Sequence, residues 1–328
     1  MALRAGPATF ALLLAFTSLP AVASPPAEAG NVRWAPARTG QARSTRPTGY
    51  DPAALRDAAE SRIFQAAADR EALEEGLALA LRGAELARSG PKRDRPLAAR
   101  LLVLAAVAEN DLGRSLAALW HADEALRLQR SDADALYERG VALFELCRFT
   151  EARRSFARVL RRVPNDPWAL YYLGLLAERA GEDSRAQRLL ARAAQLAPDD
   201  LRPVVEVSPA EFEAEVRRAV ASLPDRERRS LDGVPVQVED LPSLTDLTGT
   251  DPPLSPSILG LFRGPPRGEA CTPDDGPVCR SIVLYRKNLS RFARDRREFA
   301  EQVRVTLLHE IGHLHGETDE ALRARGLE

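Results

Sequence analysis

Lysine is almost absent from this sequence, since Lys92 and Lys287 are the only two among 46 basic residues. Those 46 basic residues are balanced by 47 acidic ones, and the formal net charge is −1. Proteins that hold nucleic acids or anionic membranes by charge usually carry a basic excess. The composition therefore gives no indication of a nucleic-acid partner.

Long apolar runs are also missing. Ala8–Leu19 is apolar but too short to span a bilayer, and no run of 18 or more apolar residues follows it. Arg4 precedes this stretch, and the small residues Ala21-Val22-Ala23 follow it, which is the pattern of a cleaved signal peptide. We predict a signal peptide over residues 1–23, with an uncleaved membrane anchor as the alternative. The mature chain is then expected to be periplasmic or secreted and to have no membrane span.

Cysteine is scarce, with three in the chain and no C-x-x-C pair, which disfavours metal binding by thiolates. An extracytoplasmic compartment oxidises thiols. Cys271 and Cys279 flank a loop-like Thr-Pro-Asp-Asp-Gly-Pro-Val segment and could close a short disulfide. Cys147 lies in a helical pattern and is interpreted as a small buried apolar residue.

The rest of the chain divides into three parts. Residues 24–50 are rich in Pro, Ala, Gly and Arg without apolar periodicity, which predicts a flexible linker. From about Asp51 to Pro198, apolar residues recur at the three- and four-residue spacing of helices. A 34-residue period appears within this region in the following series: Gly140 and Gly174; Ala118, Ala152 and Ala186; Ala125, Val159 and Ala193; Phe156 and Leu190; Pro164 and Pro198.

This period resembles the tetratricopeptide repeat, a helix-turn-helix unit with small residues where its two helices cross. The unit at about residues 99–131 is degenerate, with Ala106 in place of glycine and Arg130 in place of proline. The helical pair before it matches only in periodicity. The resemblance implies an all-α solenoid over residues 51–200 that binds a peptide or protein segment. A plain helical bundle is the alternative.

A second domain is predicted over residues 206–328. Ser208 and Glu211 form a capping box, with proline at the first helical position, and the next helix presents one apolar face. Short β-like runs follow at 235–238, 258–262 and 281–286. Asp295 and Glu298 then begin a helix with core-side residues Phe299, Val303, Leu307, Ile311 and Leu314. Segregated strands and helices predict a small α+β fold, so the chain is expected to be multidomain.

The end of that helix carries His309-Glu310-Ile311-Gly312-His313. His309 and His313 are four residues apart, so they lie on one helical face and can bind one ion. Two imidazoles suit Zn²⁺, and a catalytic zinc site leaves one position for water. Glu310 lies in the same arc and is predicted to be the catalytic base that activates the zinc-bound water for amide hydrolysis.

A third ligand is also required, and we look for it among the 15 residues that follow His313. Gly316 can end the helix in a left-handed conformation and turn the chain back. Asp319 is then the natural candidate, and Glu317 and Glu320 are the rivals. His315 points to a different side of the helix. His121, in the repeat region, is interpreted as structural.

The pattern H-E-x-x-H-x-x-G-x-x-D resembles the minimal zincin-like metallopeptidase family. The only methionine is Met1, so the methionine turn of metzincins is excluded. The resemblance spans roughly residues 212–327 and includes Leu259-Gly260-Leu261-Phe262 and Ile282-Val283-Leu284-Tyr285-Arg286. It implies His309, His313 and Asp319 as zinc ligands and Glu310 as catalytic base.

The sequence therefore predicts a periplasmic or secreted zinc metallopeptidase whose repeats recruit a protein substrate or partner. Zincins commonly hold substrate as an added β-strand, and Ser281–Arg286 is expected to provide or neighbour that edge. One alternative is a non-catalytic envelope scaffold with a structural or peptide-binding zincin domain. Another is hydrolysis of a non-peptide amide such as a cell-wall component.

Overall fold

The computed structural model describes residues 51–64, 69–90, 93–201, 204–272 and 278–327. Residues 1–50, which hold the predicted signal peptide and linker, lie outside the described ranges. The described chain divides into a helical unit that ends at residue 201 and a second unit that begins at residue 204. Within these ranges, no helix is both long and apolar enough to cross a bilayer.

The helical unit contains four consecutive helix pairs. Aspartates cap five of these helices by accepting a hydrogen bond from a backbone N–H of the first turn, which satisfies groups that the helix leaves without a partner. The helices are α1 (Pro52–Ile63), α2 (Arg70–Ser89), α3 (Arg95–Asp111), α4 (Ser115–Leu128), α5 (Ala133–Glu145), α6 (Phe149–Arg162), α7 (Pro167–Arg179) and α8 (Asp183–Leu196).

The 34-residue glycines lie where the two helices of a pair approach each other closely. A Cβ on Gly140 would lie 2.7 Å from the ring of Phe156, and one on Gly174 would lie 2.7 Å from Cγ of Leu190. The small residue on the first helix therefore accommodates the large one on the second. This contact explains why a glycine and a large apolar residue recur together, once in α5 and α6 and again in α7 and α8.

The turns inside the last three pairs share one backbone geometry. Gly113, Cys147 and Gly181 are 34 residues apart and have φ angles of 75°, 57° and 71°. The sequence interpretation placed Cys147 inside a helix, and this was wrong: α5 ends at Glu145, and Cys147 is half-buried in the turn before α6. A β-carbon makes this left-handed conformation cost roughly 1–2 kcal/mol, a cost that glycine avoids.

Replacing Cys147 with glycine is therefore expected to stabilise the helical unit. Relief of the left-handed strain should exceed the roughly 0.5–1 kcal/mol that glycine costs in chain entropy, for a net gain of about 0.5–1 kcal/mol. Chemical denaturation followed by circular dichroism would measure it, with Gly181→Ala as the opposite change at the equivalent position. A lower midpoint for Cys147→Gly would mean that the cysteine side chain contributes more through packing than its backbone conformation costs.

The second unit places helices around a three-stranded sheet of order β1-β3-β2. Strand β3 is central and pairs in parallel with β1 and antiparallel with β2. The elements are α9 (Pro209–Ser222), α10 (Asp225–Ser230), β1 (Val236–Glu239), α11 (Leu244–Leu247), β2 (Gly260–Arg263), β3 (Ser281–Tyr285), α12 (Arg286–Phe292), α13 (Arg296–Leu314) and α14 (Asp319–Ala324).

One core joins α9, the sheet and α13. The predicted core face of α13 is buried throughout, from Phe299 to Leu314, and it packs with Phe212 of α9 and with Phe262 and Leu284 of the sheet. Burying this many large side chains in a small unit provides its main stabilisation. The predicted fold class, a helical repeat region followed by a small α+β domain, is confirmed.

Candidate metal centre

Helix α13 carries three of the predicted site residues into the interior. Asp295 caps its N-terminus by accepting hydrogen bonds from the N–H groups of Arg297 and Glu298. The C-terminal half of the helix then runs through the core. His309, Glu310 and His313 are 3%, 0% and 1% exposed. Three polar side chains this deeply buried need partners or a bound ion, because burial without either is costly.

The two histidines and Asp319 converge on one point. His309 Nε2 lies 2.9 Å from His313 Nε2, and Oδ1 of Asp319 lies 3.3 Å and 3.2 Å from these two atoms. One ligand atom from each residue lies within 4.8 Å of the others. These are the spacings that three ligands around a single metal ion require.

The Nδ1 atoms of the two histidines determine that Nε2 is the nitrogen that faces this point. Nδ1 of His309 lies 2.6 Å from the carbonyl oxygen of Leu327, and Nδ1 of His313 lies 3.0 Å from that of Glu317. A carbonyl only accepts, so both Nδ1 atoms donate, and each neutral ring presents a lone pair at Nε2. Two lone pairs at 2.9 Å repel each other unless a proton or a metal ion lies between them. The residues therefore fit a bound cation.

The charges at this point agree with that arrangement. Burial by itself raises the pKa of Asp319, but without a metal ion a proton on Nε2 of His309 or His313 hydrogen-bonds to its carboxylate, which outweighs burial and holds the pKa at about 2. Burial lowers the pKa of His313, yet Asp319 and Glu310 raise it overall. A carboxylate that stays ionised beside two imidazoles supplies the negative charge that a divalent cation needs.

The structure distinguishes Asp319 from its two rivals. Gly316, at φ 80°, reverses the chain after α13, and Thr318 caps α14 so that Asp319 begins that helix. Glu317 instead pairs with Arg325 at 2.5 Å, and Glu320 is exposed and lies outside the cluster. Only Asp319 among the three carboxylates approaches the histidines. His315 also lies apart, with its Nε2 2.8 Å from the hydroxyl of Ser230.

Gly312 allows α14 to approach α13 closely. A Cβ on Gly312 would lie 2.2 Å from Cδ2 of Leu322, which is fully buried on α14. The absence of a side chain therefore sets the distance between α13 and the helix that carries Asp319. The sequence analysis did not recognise this role. A glycine inside a strongly helical segment was the available signal, because it costs about 1 kcal/mol relative to alanine and calls for a packing reason.

Replacing Gly312 with alanine is expected to weaken metal binding although all three ligands remain. Alanine favours the helix by about 1 kcal/mol, but the collision with Leu322 must displace α14 and with it Asp319. Competition with a chromophoric zinc chelator should show a loss of affinity of at least ~10-fold. The double variant Gly312→Ala, Leu322→Ala should recover most of it. Unchanged affinity in the single variant would contradict this role for Gly312.

Glu310 differs from the cluster because no side chain pairs with it; the backbone of Phe262 on β2 is near enough to lower its pKa but makes no hydrogen bond of ordinary geometry. Both of its carboxylate oxygens are buried without a hydrogen bond among the described residues. Burial raises its pKa to about 7, although the neighbouring His313 and His309 act in the opposite direction. An unpartnered carboxylate whose pKa lies near neutrality can both accept and return a proton at physiological pH.

Strand β2 passes directly over Glu310. A Cβ on Gly260 would lie 2.8 Å from Oε1 of Glu310 and 2.7 Å from Cγ2 of Thr306, so only glycine lets the strand lie this close. Strand β2 pairs with β3 alone within the described residues, which makes it the sheet edge nearest the cluster. The sequence predicted that Ser281–Arg286 would either provide this edge or lie next to it, and the second of these is what the structure has. Those residues form the central strand β3 and neighbour the edge, which β2 provides.

The loop between β2 and β3, which contains a disulfide, supports the end of α13. Cys271 and Cys279 are joined, with their Cα atoms 5.9 Å apart, and residues 273–277 between them lie outside the described ranges. The backbone N–H of Arg267 donates to the carbonyl of Leu314 at 2.7 Å, and Arg280 donates to three carbonyls of the loop. The loop therefore fixes the point at which the chain leaves α13 for the turn at Gly316.

His121 lies in the helical unit and takes no part in this cluster. Its Nδ1 lies 2.6 Å from Oε2 of the buried Glu109, on the preceding helix α3. The pair links the two helices of one repeat through a buried polar contact. This agrees with the structural interpretation of His121.

Comparisons with known proteins identify both parts of the chain. The zincin-like metallopeptidase family matches residues 231–327, and the tetratricopeptide repeat family matches residues 103–167 and 144–200. Among solved structures the chain is similar to YrrB, described as a TPR protein with an unusual peptide-binding site, at 19% identity over 46% of this chain and 89% of that one (TM-score 0.29). It is also similar to the MamA protein, at 15% identity over 49% of this chain and all of that one (TM-score 0.30). No curated protein matches the chain. Both predicted resemblances are thereby confirmed.

Proposed function

Because the chain carries tetratricopeptide repeats followed by a zincin-like metallopeptidase domain, we propose that it is a zinc-dependent metallopeptidase. In this proposal it acts in the periplasm or outside the cell, and its repeats hold a protein substrate or partner. One observation carries the catalytic part. Glu310 is completely buried, has no side-chain hydrogen-bond partner among the described residues, and adjoins a cluster of three candidate ligand atoms.

That observation favours an enzyme over a structural zinc site. Structural sites are closed by four protein ligands, whereas catalytic sites use three and leave a position for water or substrate. Within the described residues the cluster has three members: His309, His313 and Asp319. A structural site also gains nothing from a second buried carboxylate, which is costly when it has no partner.

His309, His313 and Asp319 would hold the zinc ion. When bound, zinc supplies a Lewis acid that lowers the pKa of water and polarises a carbonyl group. The carbonyls of Leu327 and Glu317 keep the two imidazoles in the orientation that presents Nε2. Asp319 would contribute one negative charge, so zinc together with its three ligands would keep a net positive charge, and this charge would attract a carbonyl oxygen.

Glu310 would move the proton. Its carboxylate accepts a proton from the attacking water and then returns it to the nitrogen of the leaving amine. Burial raises the pKa of Glu310 above its usual range, which makes its carboxylate a stronger base for the proton of the water. The match to the zincin-like metallopeptidase family favours peptide bonds over cell-wall amides as the substrate.

Support for a location outside the cytoplasm comes from the sequence and from the cysteines. The N-terminal apolar segment has the pattern of a signal peptide. The Cys271–Cys279 disulfide is of the kind that persists in oxidising compartments.

The proposal is tested with zinc-loaded mature protein on a quenched-fluorescence peptide library and on an extract of periplasmic proteins. We expect cleavage that a chelator removes and that added zinc restores. A muropeptide mixture run in parallel tests the cell-wall alternative. If the zinc-loaded protein cleaves neither peptides nor envelope proteins, the non-catalytic scaffold remains as the function.

A further inference from the structure

A groove lies between two consecutive second helices of the repeats, α4 and α6. Its volume is about 670 Å³, and a smaller pocket of about 330 Å³ adjoins it and shares Arg158 with it. Only Arg139 reaches it from α5, the helix between them. The groove is therefore separate from the surface formed by the first helices of the repeats.

The lining of this groove is strongly basic. The groove and its neighbour contain seven arginines and two carboxylates, a local charge of +5 in a chain whose net charge is −1. Arg154 lies close enough to Glu151 to lower the pKa of that carboxylate, and four of these arginines have no carboxylate partner within the described part of the chain: Arg130, Arg158, Arg161 and Arg162. Arginines without partners on a concave surface form a site for anionic groups, because each guanidinium can hold a carboxylate through two parallel hydrogen bonds.

The base of the groove is held in place by hydrogen bonds. Arg139 donates to Oδ1 of Asp123 at 2.7 Å and to the hydroxyl of Ser155 at 2.8 Å, which links α5 to both α4 and α6. Arg158 donates to the carbonyl of Arg130 at 2.8 Å. The guanidinium groups that line the groove are thus partly ordered before any ligand binds, which lowers the entropy cost of binding.

An exposed apolar strip continues the groove along α4. Leu116 and Trp120 are 63% and 55% exposed, an unusual state for large apolar side chains. At 100° per residue, both lie within about 40° of Arg127 around the helix axis, so the three share one face. Tryptophan and arginine together are the residues most enriched at the energetic centres of protein interfaces.

We propose that this groove, with the adjoining Leu116–Trp120 strip, binds an acidic segment of a partner polypeptide that carries an apolar side chain beside its carboxylates. Asp123 and Glu151 interrupt the basic surface, which disfavours the continuous charge of a nucleic acid and suits a peptide whose carboxylates are spaced apart. The inference deepens the recruitment part of the proposed function. It concerns binding alone, so it stands or falls independently of zinc and of cleavage.

The test uses fluorescence anisotropy of a labelled peptide of alternating Asp and Glu with one central leucine. The control peptide has Asn and Gln in the same positions. Arg154→Glu with Arg158→Glu reverses two charges of the groove. The matched control is Arg188→Glu with Arg192→Glu, the equivalent positions 34 residues later on α8 and outside the groove. Circular dichroism verifies the fold of each, and Arg154→Gln with Arg158→Gln serves if the charge reversal unfolds the unit.

We expect the acidic peptide to bind at least ~10-fold more tightly than its amide control and to weaken steeply with salt. The groove variant should lose at least ~10-fold in affinity, and the α8 variant should change little. Trp120→Ala should weaken the binding of the acidic peptide that contains leucine more than the binding of the same peptide with alanine instead of that leucine. Equal losses in both arginine variants, no binding of the acidic peptide, or tighter binding of a single-stranded oligonucleotide would each overturn the proposal.

Discussion

The His313→Ala variant is expected to lose its zinc while the wild-type chain retains close to one ion. His313 contributes one of three ligand atoms that lie within 4.8 Å of each other, so its removal leaves two. Loss of a hydrogen-bond partner behind a ligand already costs roughly 10- to 100-fold in affinity, and loss of the ligand itself should exceed ~100-fold. Elemental mass spectrometry of the purified mature proteins measures the ion directly.

The chain contains a matched control two residues away. His315→Ala removes the same side chain, but His315 bonds to Ser230 and lies outside the cluster. It should therefore retain its zinc. If His315→Ala loses the ion as completely as His313→Ala, the loss reflects a disturbed helix end and the assignment of His313 as ligand is wrong.

The same measurement separates the three carboxylates. Asp319→Asn should lose most of its zinc at limiting concentration, since the amide oxygen is a weaker ligand and carries no charge. Glu317→Gln and Glu320→Gln should retain it, because Glu317 pairs with Arg325 and Glu320 is exposed. Zinc that survives Asp319→Asn and is lost in either of the others would reassign the third ligand.

The second large effect concerns catalysis. Glu310→Gln is expected to lower the rate of peptide cleavage by ~10²- to 10⁴-fold, because glutamine cannot accept the proton that the carboxylate takes from water. Zinc content should be unchanged, since Glu310 is not a member of the ligand cluster. Single-turnover cleavage of a peptide identified in the library measures the rate.

The stability of Glu310→Gln separates a chemical role from a structural one. The carboxylate is fully buried without a hydrogen bond among the described residues, so its replacement by a neutral isostere should leave the midpoint of thermal unfolding equal or higher. A variant with full activity would remove Glu310 from the mechanism. A variant that is both inactive and unfolded would not separate the two roles. In that case Glu310→Asp provides the test, because it keeps the carboxylate but shortens the side chain by one methylene. Its activity should fall while its zinc is retained.

Much of this protein follows from local patterns in the sequence. The 34-residue period indicated the helical repeats because a glycine in one helix must match a large side chain in the next, as Gly140 and Phe156 do. The apolar face of α13 and the four-residue spacing of His309 and His313 indicated the buried helix and two candidate ligands, since helical geometry alone brings such residues together. In both cases the information lies within one helix or within two helices that follow each other directly in the sequence.

Other features depend on contacts between segments that are distant in the sequence. The sequence favoured Asp319 over Glu317 and Glu320 as third ligand, but only the Leu322–Gly312 contact in the folded unit shows α14 holding Asp319 towards the histidines. The roles of Gly260 and of the Leu327 carbonyl also required the folded unit, because β2 and the C-terminal residues reach α13 only through tertiary packing.

The groove on the repeats shows most clearly the difference between what the sequence determines and what requires the folded structure. The sequence by itself determined a balanced composition, the helical repeat and the metal-binding spacing, because each of these is read along the chain. Only the tertiary structure brought Arg130, which follows α4, to one surface with arginines of α6 that have no carboxylate partner among the described residues. The physical reason is that net charge is a sum over the whole chain, whereas recognition depends on which charges the fold places within a few ångströms of one another.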